Sequence, residues 1–358
     1  AYYTGRRIVE MVDEDLKPSD IMSQEAFYNA ISVCTAIGGS TNAPPHIQAI
    51  ANHLRDIELS ITDWQTYGEK VPMIVNCQPA GEYLGEEFHR AGGVPAVMGE
   101  LLSKGIISGD PLTVTGKTIG EVYSKQRTKE HKVIYPINQP LRENAGFAVM
   151  SGNLFDSAIM KKSVIDESFR KTYLSDPQQP NRITARAIVF EGPEDYHHRI
   201  NDPKLNVDAN CILIIRNCGP VGYPGSADAV SMLPPDYLVK QGITCLPTMG
   251  DGRQSGTSAS PSILNVSPEA AVGGGLAFIK MNDLIDIDLN TNTINLLIND
   301  AEFATRRLAN TQIPIVNQTP WQEIYRSRVG QLSEGATLNT EGDYTRIAAT
   351  HGIPRNSH

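Results

Sequence analysis

Residues 243–262 read ITCLPTMGDGRQSGTSASPS. An apolar run, Ile243–Met249, gives way at Gly250 to a loop of Gly, Ser and Thr with Asp251 and Arg253 inside it. The same order occurs upstream, where ILIIR (212–216) runs into NCGPVGYPGSADAV (217–230). A short apolar run bounded by turn residues reads as a strand. Twice, therefore, a strand delivers the chain into a Gly-rich loop. A plain Gly/Ser turn is one reading of the loop at 250–262. Three details favour a functional loop. Arg253 stands two residues before Ser255, the loop lies between ordered apolar segments, and its small residues let backbone N–H groups converge on an anion.

Outward from these loops, the second part of the chain is rich in strand-like runs separated by turns. They are GFAVMSGNL, RITARAIVFEG, NCILIIRNCG and DLIDIDLNTNTINLLI, with PLTVTGKTIGEVY and KVIYPI before them. Strands spaced in this way predict a barrel or a mixed β/α domain. PPDYLVKQG reads as a short helix, and residues 297–327 as helical in part. The first third differs. Ser23 starts a helix with Phe27, Ala30, Ile31 and Cys34 on one face, and Gly38-Gly39 breaks it. Ser40, Thr41 and Asn42 supply cap-type side chains for a second helix bearing Ile47, Ile50, Ala51 and Leu54. KVPMIVNC (70–77) reads as a strand, and PAGEYLGEEFHRAGG (79–93) as a loop and helix before another helix. This part is α/β.

The chain has 358 residues, enough for two domains with separate cores. A hydrophobic share of 40% against 20% charged residues excludes global disorder. A net charge of −9 with no basic run speaks against nucleic acid as a partner. No segment has the apolar length of a membrane span, and no signal peptide is apparent. Five Cys, an odd count without C-x-x-C spacing, fit a reducing cytoplasm and buried thiols. They give no local zinc or iron–sulfur signature. The opening AYYTGRRIVEMVDED reads as the middle of a helix and predicts a missing upstream portion, whereas GIPRNSH reads as a natural end.

Asp228 closes the loop at 217–230 near the expected start of a helix. It is either a cap or an oxygen ligand for a hard cation such as Mg²⁺. AVGGGLAF lacks both dinucleotide and Walker spacing and reads as close packing of small residues. Glu82, Glu86, Glu87 and His89 read as a solvated helix face. His46 and His89 are either structural or ligands and general acids. No nucleophile elbow is present, so no Ser-His-Asp order is assigned.

Seven motifs, in order, resemble one family. They are GGSTNAPPHIQAIA, PAGEYLGEEFHRAGGVPAV, GNLFDSAI, AIVFEGPEDYHHRI, GPVGYPGSADAV, GDGRQSGTSASPS and VSPEAAVGGGLA. Together they look like the dihydroxy-acid and sugar-acid dehydratases, closest to the arabinonate/xylonate branch. The resemblance implies an α/β fold. Residues 1–145 would be the remainder of an N-terminal α/β, cluster-binding domain, and residues 146–358 a C-terminal swivelling β/β/α barrel. It implies the C-terminal portion only, with little or no activity alone, because the cysteines of the iron–sulfur cluster would lie upstream. None of the five Cys matches a cluster ligand. The family's serine base falls on Ser255, and its metal-binding acid, usually Glu, on Asp228, one methylene shorter. Gly256 would allow close approach, Thr257 would donate to a substrate oxygen, and Arg253 would either pair with the substrate carboxylate or pin the loop. The implied cofactors are Mg²⁺ and the cluster, and the implied assembly is a homodimer or homotetramer. The implied reaction dehydrates a 2,3-dihydroxy acid, a sugar acid first, to a 2-keto-3-deoxy acid. The rivals are a branched-chain dihydroxyacid dehydratase and a binding or assembly protein without catalysis on the same scaffold.

Overall fold

The computed structural model describes residues 1–54, 56–165, 167–225, 231–254, 261–309, 319–339, 350 and 352, and the backbone of 228–229. Eight apolar runs of the second part form one sheet. Its strands are β1 (Phe147–Met150), β2 (Ser157–Lys161), β3 (Arg182–Phe190), β4 (Cys211–Ile215), β6 (Thr248–Gly250), β8 (Ser262–Ser267), β9 (Leu284–Asp288) and β10 (Thr293–Leu296). Two-residue strands β5 (Asp228–Ala229) and β7 (Arg253–Gln254) pair separately. The order in the large sheet is β1-β2-β8-β6-β4-β3-β9-β10. Its central strands β8, β6, β4 and β3 run parallel, and the flanking pairs are antiparallel. Just past β1, Ser151 bridges Thr293 of β10, which brings the two ends of the sheet together into an almost closed barrel.

The period-2 alternation of a strand sorts its side chains onto two faces. Ala187, Val189, Ile212 and Ile214 join one core with residues from all eight strands, so this core fills the barrel. Ile188, Phe190, Cys211, Leu213 and Ile215, the intervening positions, pack outward with Tyr196 and Leu238 of the flanking helices. β4 is buried along its whole length. Its uninterrupted apolar sequence CILII fits a parallel strand covered on both faces.

The first part is built of helices, including Tyr2–Asp13, Gln24–Ile37, Ala43–Ala51, Gly85–Arg90 and Gly93–Ser103. Ser23 caps the helix Gln24–Ile37 by accepting from Ala26 N–H, and Gly38, in the left-handed region at φ 74°, ends it. Trp64 is fully buried against Phe147 of β1, with ring centroids 5.2 Å apart, and ties this part to the barrel.

Val71 and residues 73–76 of KVPMIVNC are buried, as in a strand, but Met73, Val75 and Cys77 make only isolated bridges to Arg142, Ile134 and Tyr83. With no neighbour of matching length, no ladder forms. PLTVTGKTIGEVY likewise gives one bridge, Leu112 to Thr118, and the helix Ile119–Tyr123. Asp228 does not stand near a helix start. Its backbone belongs to β5, and the following helix, Asp236–Lys240, begins only after Pro234-Pro235. The first proline restricts the residue before it to extended backbone, which delays the helix. The fold class is α/β, with helices in the N-terminal part ahead of the barrel. Among the described residues, no helix is long and apolar enough to cross a membrane.

Candidate active site

Because β3, β4, β6 and β8 are parallel, their C-terminal ends lie on one rim, where ligands bind in parallel α/β sheets. Both Gly-rich loops leave the barrel there. Three carboxylates join them. Asp251 has no exposed surface, and its oxygens accept from the backbone N–H groups of Asn217 (3.0 Å), Cys218 (2.8 Å) and Ala270 (2.9 Å). Glu269, equally buried, accepts from Val221 N–H (2.9 Å), Gly222 N–H (2.8 Å) and the Gln331 side chain (3.0 Å). Glu191, after β3, accepts from Arg216 Nε at 2.9 Å and Asn217 Nδ2 at 3.0 Å. A buried carboxylate is costly unless hydrogen bonds replace its water, and here backbone donors do so. Burial pushes Asp251 and Glu269 above the usual carboxylate range, and these donors oppose it. The stitching requires glycine at two points. A Cβ on Gly252 would stand 2.6 Å from Cys218 Cβ, and one on Gly219 would stand 2.5 Å from Glu269 Oε2.

The segment 38–46 of the N-terminal part closes on this rim. Asn265 of β8 donates to Thr41 O at 3.0 Å. Arg253 Nη1 lies 3.1 Å from His46 Nε2. A guanidinium offers only donors, so the imidazole accepts at Nε2. Lys161 of β2 is buried and donates to Gly38 O. Burial lowers its ammonium from 10.5 to about 8, opposed by Cys34, while burial pushes the Cys34 thiol up to about 11.

Residues 132–336 match the family model for the dihydroxy-acid/6-phosphogluconate dehydratase C-terminal region, and residues 1–122 match the N-terminal one. The chain belongs to the dihydroxy-acid/6-phosphogluconate dehydratase family. The match to the N-terminal model corrects the expectation of a C-terminal portion only: residues of both family regions are present. D-xylonate dehydratase of Caulobacter vibrioides is 54% identical over 358 residues, 100% of this chain and 60% of that protein. L-arabinonate dehydratase of Rhizobium leguminosarum bv. trifolii is 40% identical over 358 residues, 100% of this chain and 59% of that protein. Dihydroxy-acid dehydratase of Methanobrevibacter smithii is 35% identical over 339 residues, 94% of this chain and 58% of that protein. The chain thus spans about 60% of the length of the first of these relatives.

Within this member of the dehydratase family, Ser255, Gly256 and Thr257 lie outside the described residues. Of the other two site residues expected from sequence, Arg253 and Asp228 are neighbours through backbone pairing of β7 with β5. The Asp228 side chain is outside the described residues. The Arg253 guanidinium lies beside the His46 imidazole. Glu86 pairs with Arg90 and Glu87 caps Leu84 N–H, as a solvated helix face would. Asp251 and Glu269 were not legible as site residues. The available signal was an acidic residue set among small residues at the end of an apolar run.

Among the described residues, no group of three or more His, Cys, Asp or Glu side chains is placed to hold a metal ion. The buried carboxylates of the rim are occupied by N–H donors. The described residues therefore do not build a Mg²⁺ or cluster site by themselves.

Proposed function

We propose that the protein is a hydro-lyase that dehydrates a 2,3-dihydroxy acid, an aldonate or pentonate, to a 2-keto-3-deoxy acid. The observation that carries this reading is the rim of stitched Gly-rich loops in a chain that is 54% identical to a D-xylonate dehydratase along its whole length. Residues 1–145 and 146–358 are its two domains in this reading, working in the cytoplasm as a homodimer or homotetramer.

The C2 proton of such an acid is weakly acidic and hydroxide is a poor leaving group, so the site must supply a base and stabilise charge. Ser255 is assigned as the base. A serine hydroxyl is not ionised at neutral pH unless cationic charge and N–H donors surround its oxygen. The anchoring of Asp251 to the backbone of Asn217 and Cys218 supports this, because it fixes the start of the segment that leads towards residue 255. Arg253 binds the substrate carboxylate from its place beside His46, Gly256 allows close approach, and Thr257 donates to a substrate oxygen. Asp228 is a metal ligand in this reading. Mg²⁺ and an iron–sulfur cluster, with ligands outside the described residues, supply Lewis-acid chemistry when bound.

The test is 2-keto-3-deoxy acid formation by the full-length gene product, reconstituted anaerobically with iron, sulfide and Mg²⁺. The substrates are D-xylonate, L-arabinonate and 2,3-dihydroxyisovalerate. Turnover of a pentonate with the highest kcat/KM supports the assignment. Preference for dihydroxyisovalerate moves the protein to the branched-chain reaction, and turnover of none overturns the enzyme reading.

A further inference from the structure

A cavity of about 580 Å³ lies where the segment 141–145 meets the turn Lys162–Val164 and the helix Glu167–Tyr173. None of its lining residues belongs to the stitched loops. Its wall gathers three cations, Arg142, Lys162 and Arg170, and two carboxylates, Glu143 and Glu167. Lys162 is committed, with its ammonium 2.7 Å from Glu69 Oε1. Arg142 donates to Ser163 O, and Arg170 Nη2 donates to Lys162 O at 3.1 Å. Two consecutive carbonyls thus aim two guanidiniums at one wall.

The Arg142 backbone is itself fixed by the bridge to Met73. Among the described residues neither arginine has an ion-pair partner. Each carries five N–H donors, and one carbonyl apiece uses few of them. Burial pushes the Arg170 guanidinium down; Glu167 opposes this, and the charge of Arg142 adds a smaller push in the same direction as burial. Ser163, in the same wall, has a buried hydroxyl with no hydrogen-bond partner among the described residues.

We propose that this cavity is a binding site for a small organic anion whose carboxylate or phosphate is gripped between Arg142 and Arg170. A guanidinium fork matches the planar carboxylate and the phosphate oxygens alike, and each charge-assisted bond is strong relative to a neutral one. The volume falls in the range of small-molecule sites and leaves room for a carbon body behind the anionic head. The site does not depend on the dehydratase reading.

The test is calorimetric titration of the full chain at low ionic strength with inorganic phosphate and, separately, with succinate. Saturable binding of one ligand per chain is expected for at least one probe. Phosphate alone identifies a phosphorylated ligand, succinate alone a carboxylic acid, and either supports the site. Arg170→Gln is expected to weaken binding about tenfold or more, and Arg170→Lys, which keeps charge but loses the fork, to fall between. Arg142→Gln should act like Arg170→Gln. If it does not fold, the Arg170 pair decides. No heat with either probe, or wild-type affinity in folded Arg170→Gln, overturns the proposal.

Discussion

Two places in this chain handle charge in opposite ways. On the barrel rim, Asp251 and Glu269 are buried, and backbone N–H groups together with Gln331 occupy their oxygens. At the edge of the barrel, Arg142 and Arg170 each touch one carbonyl and face a cavity. The carboxylates are saturated, so they act on the fold: they hold loops from β4, β6 and β8 in one arrangement. The guanidiniums keep spare donors, so they act on whatever enters. Charge alone does not mark a functional residue. The number of its bonds already used within the chain does.

The strongest way to break this contrast is to remove a saturated anion. Asp251→Ala leaves three buried N–H groups without partners and should cost about 3–5 kcal/mol in denaturant unfolding. A loss below about 1 kcal/mol would mean that water serves those donors equally well.

Lys161 gives the next effect, and it depends on pH. Its folded value of about 8 lies below the ordinary 10.5, so the folded chain binds fewer protons between them. Wild-type stability should therefore rise with pH across this window, by up to about 1.4 kcal/mol per unit. Cys34, raised from 9.0 to about 11, works in the other direction above 9. The clean comparison is wild type against Lys161→Met between about pH 8 and 9: the variant's advantage should shrink as pH rises. A constant gap would show that Lys161 does not titrate there.

Gly252→Ala sharpens the account of the rim. The methyl group meets Cys218 at 2.6 Å, and about 1–3 kcal/mol should be lost in thermal unfolding. A neutral result would show slack between the loops. Arg170→Gln should be the mildest, costing no more than about 1 kcal/mol, because only the Lys162 carbonyl loses a donor. A large loss would place Arg170 with the structural charges.

The barrel strands were legible because their signals are local: alternation in RITARAIVF, an unbroken CILII, and turn residues between them. Both Gly-rich loops were legible for the same reason. KVPMIVNC misled because a strand needs a partner that its own residues cannot specify. The helix expected beside Asp228 was displaced by Pro234-Pro235. Asp251 was hidden because its donors, Asn217 and Cys218, are 34 and 33 residues away in the sequence. Lys161 and Lys162 are adjacent in the sequence, yet Lys161, the last residue of β2, is buried against Gly38, whereas Lys162, in the turn that follows, meets Glu69.

The central claim is that the loop begun by Asp251 delivers a catalytic base at residue 255. It is tested most directly by D-xylonate turnover of Ser255→Ala in the reconstituted full-length gene product, with thermal unfolding measured in parallel. The account predicts a fall in kcat of about a hundred- to ten-thousand-fold with an unchanged melting temperature. A kcat near that of the wild type would contradict it.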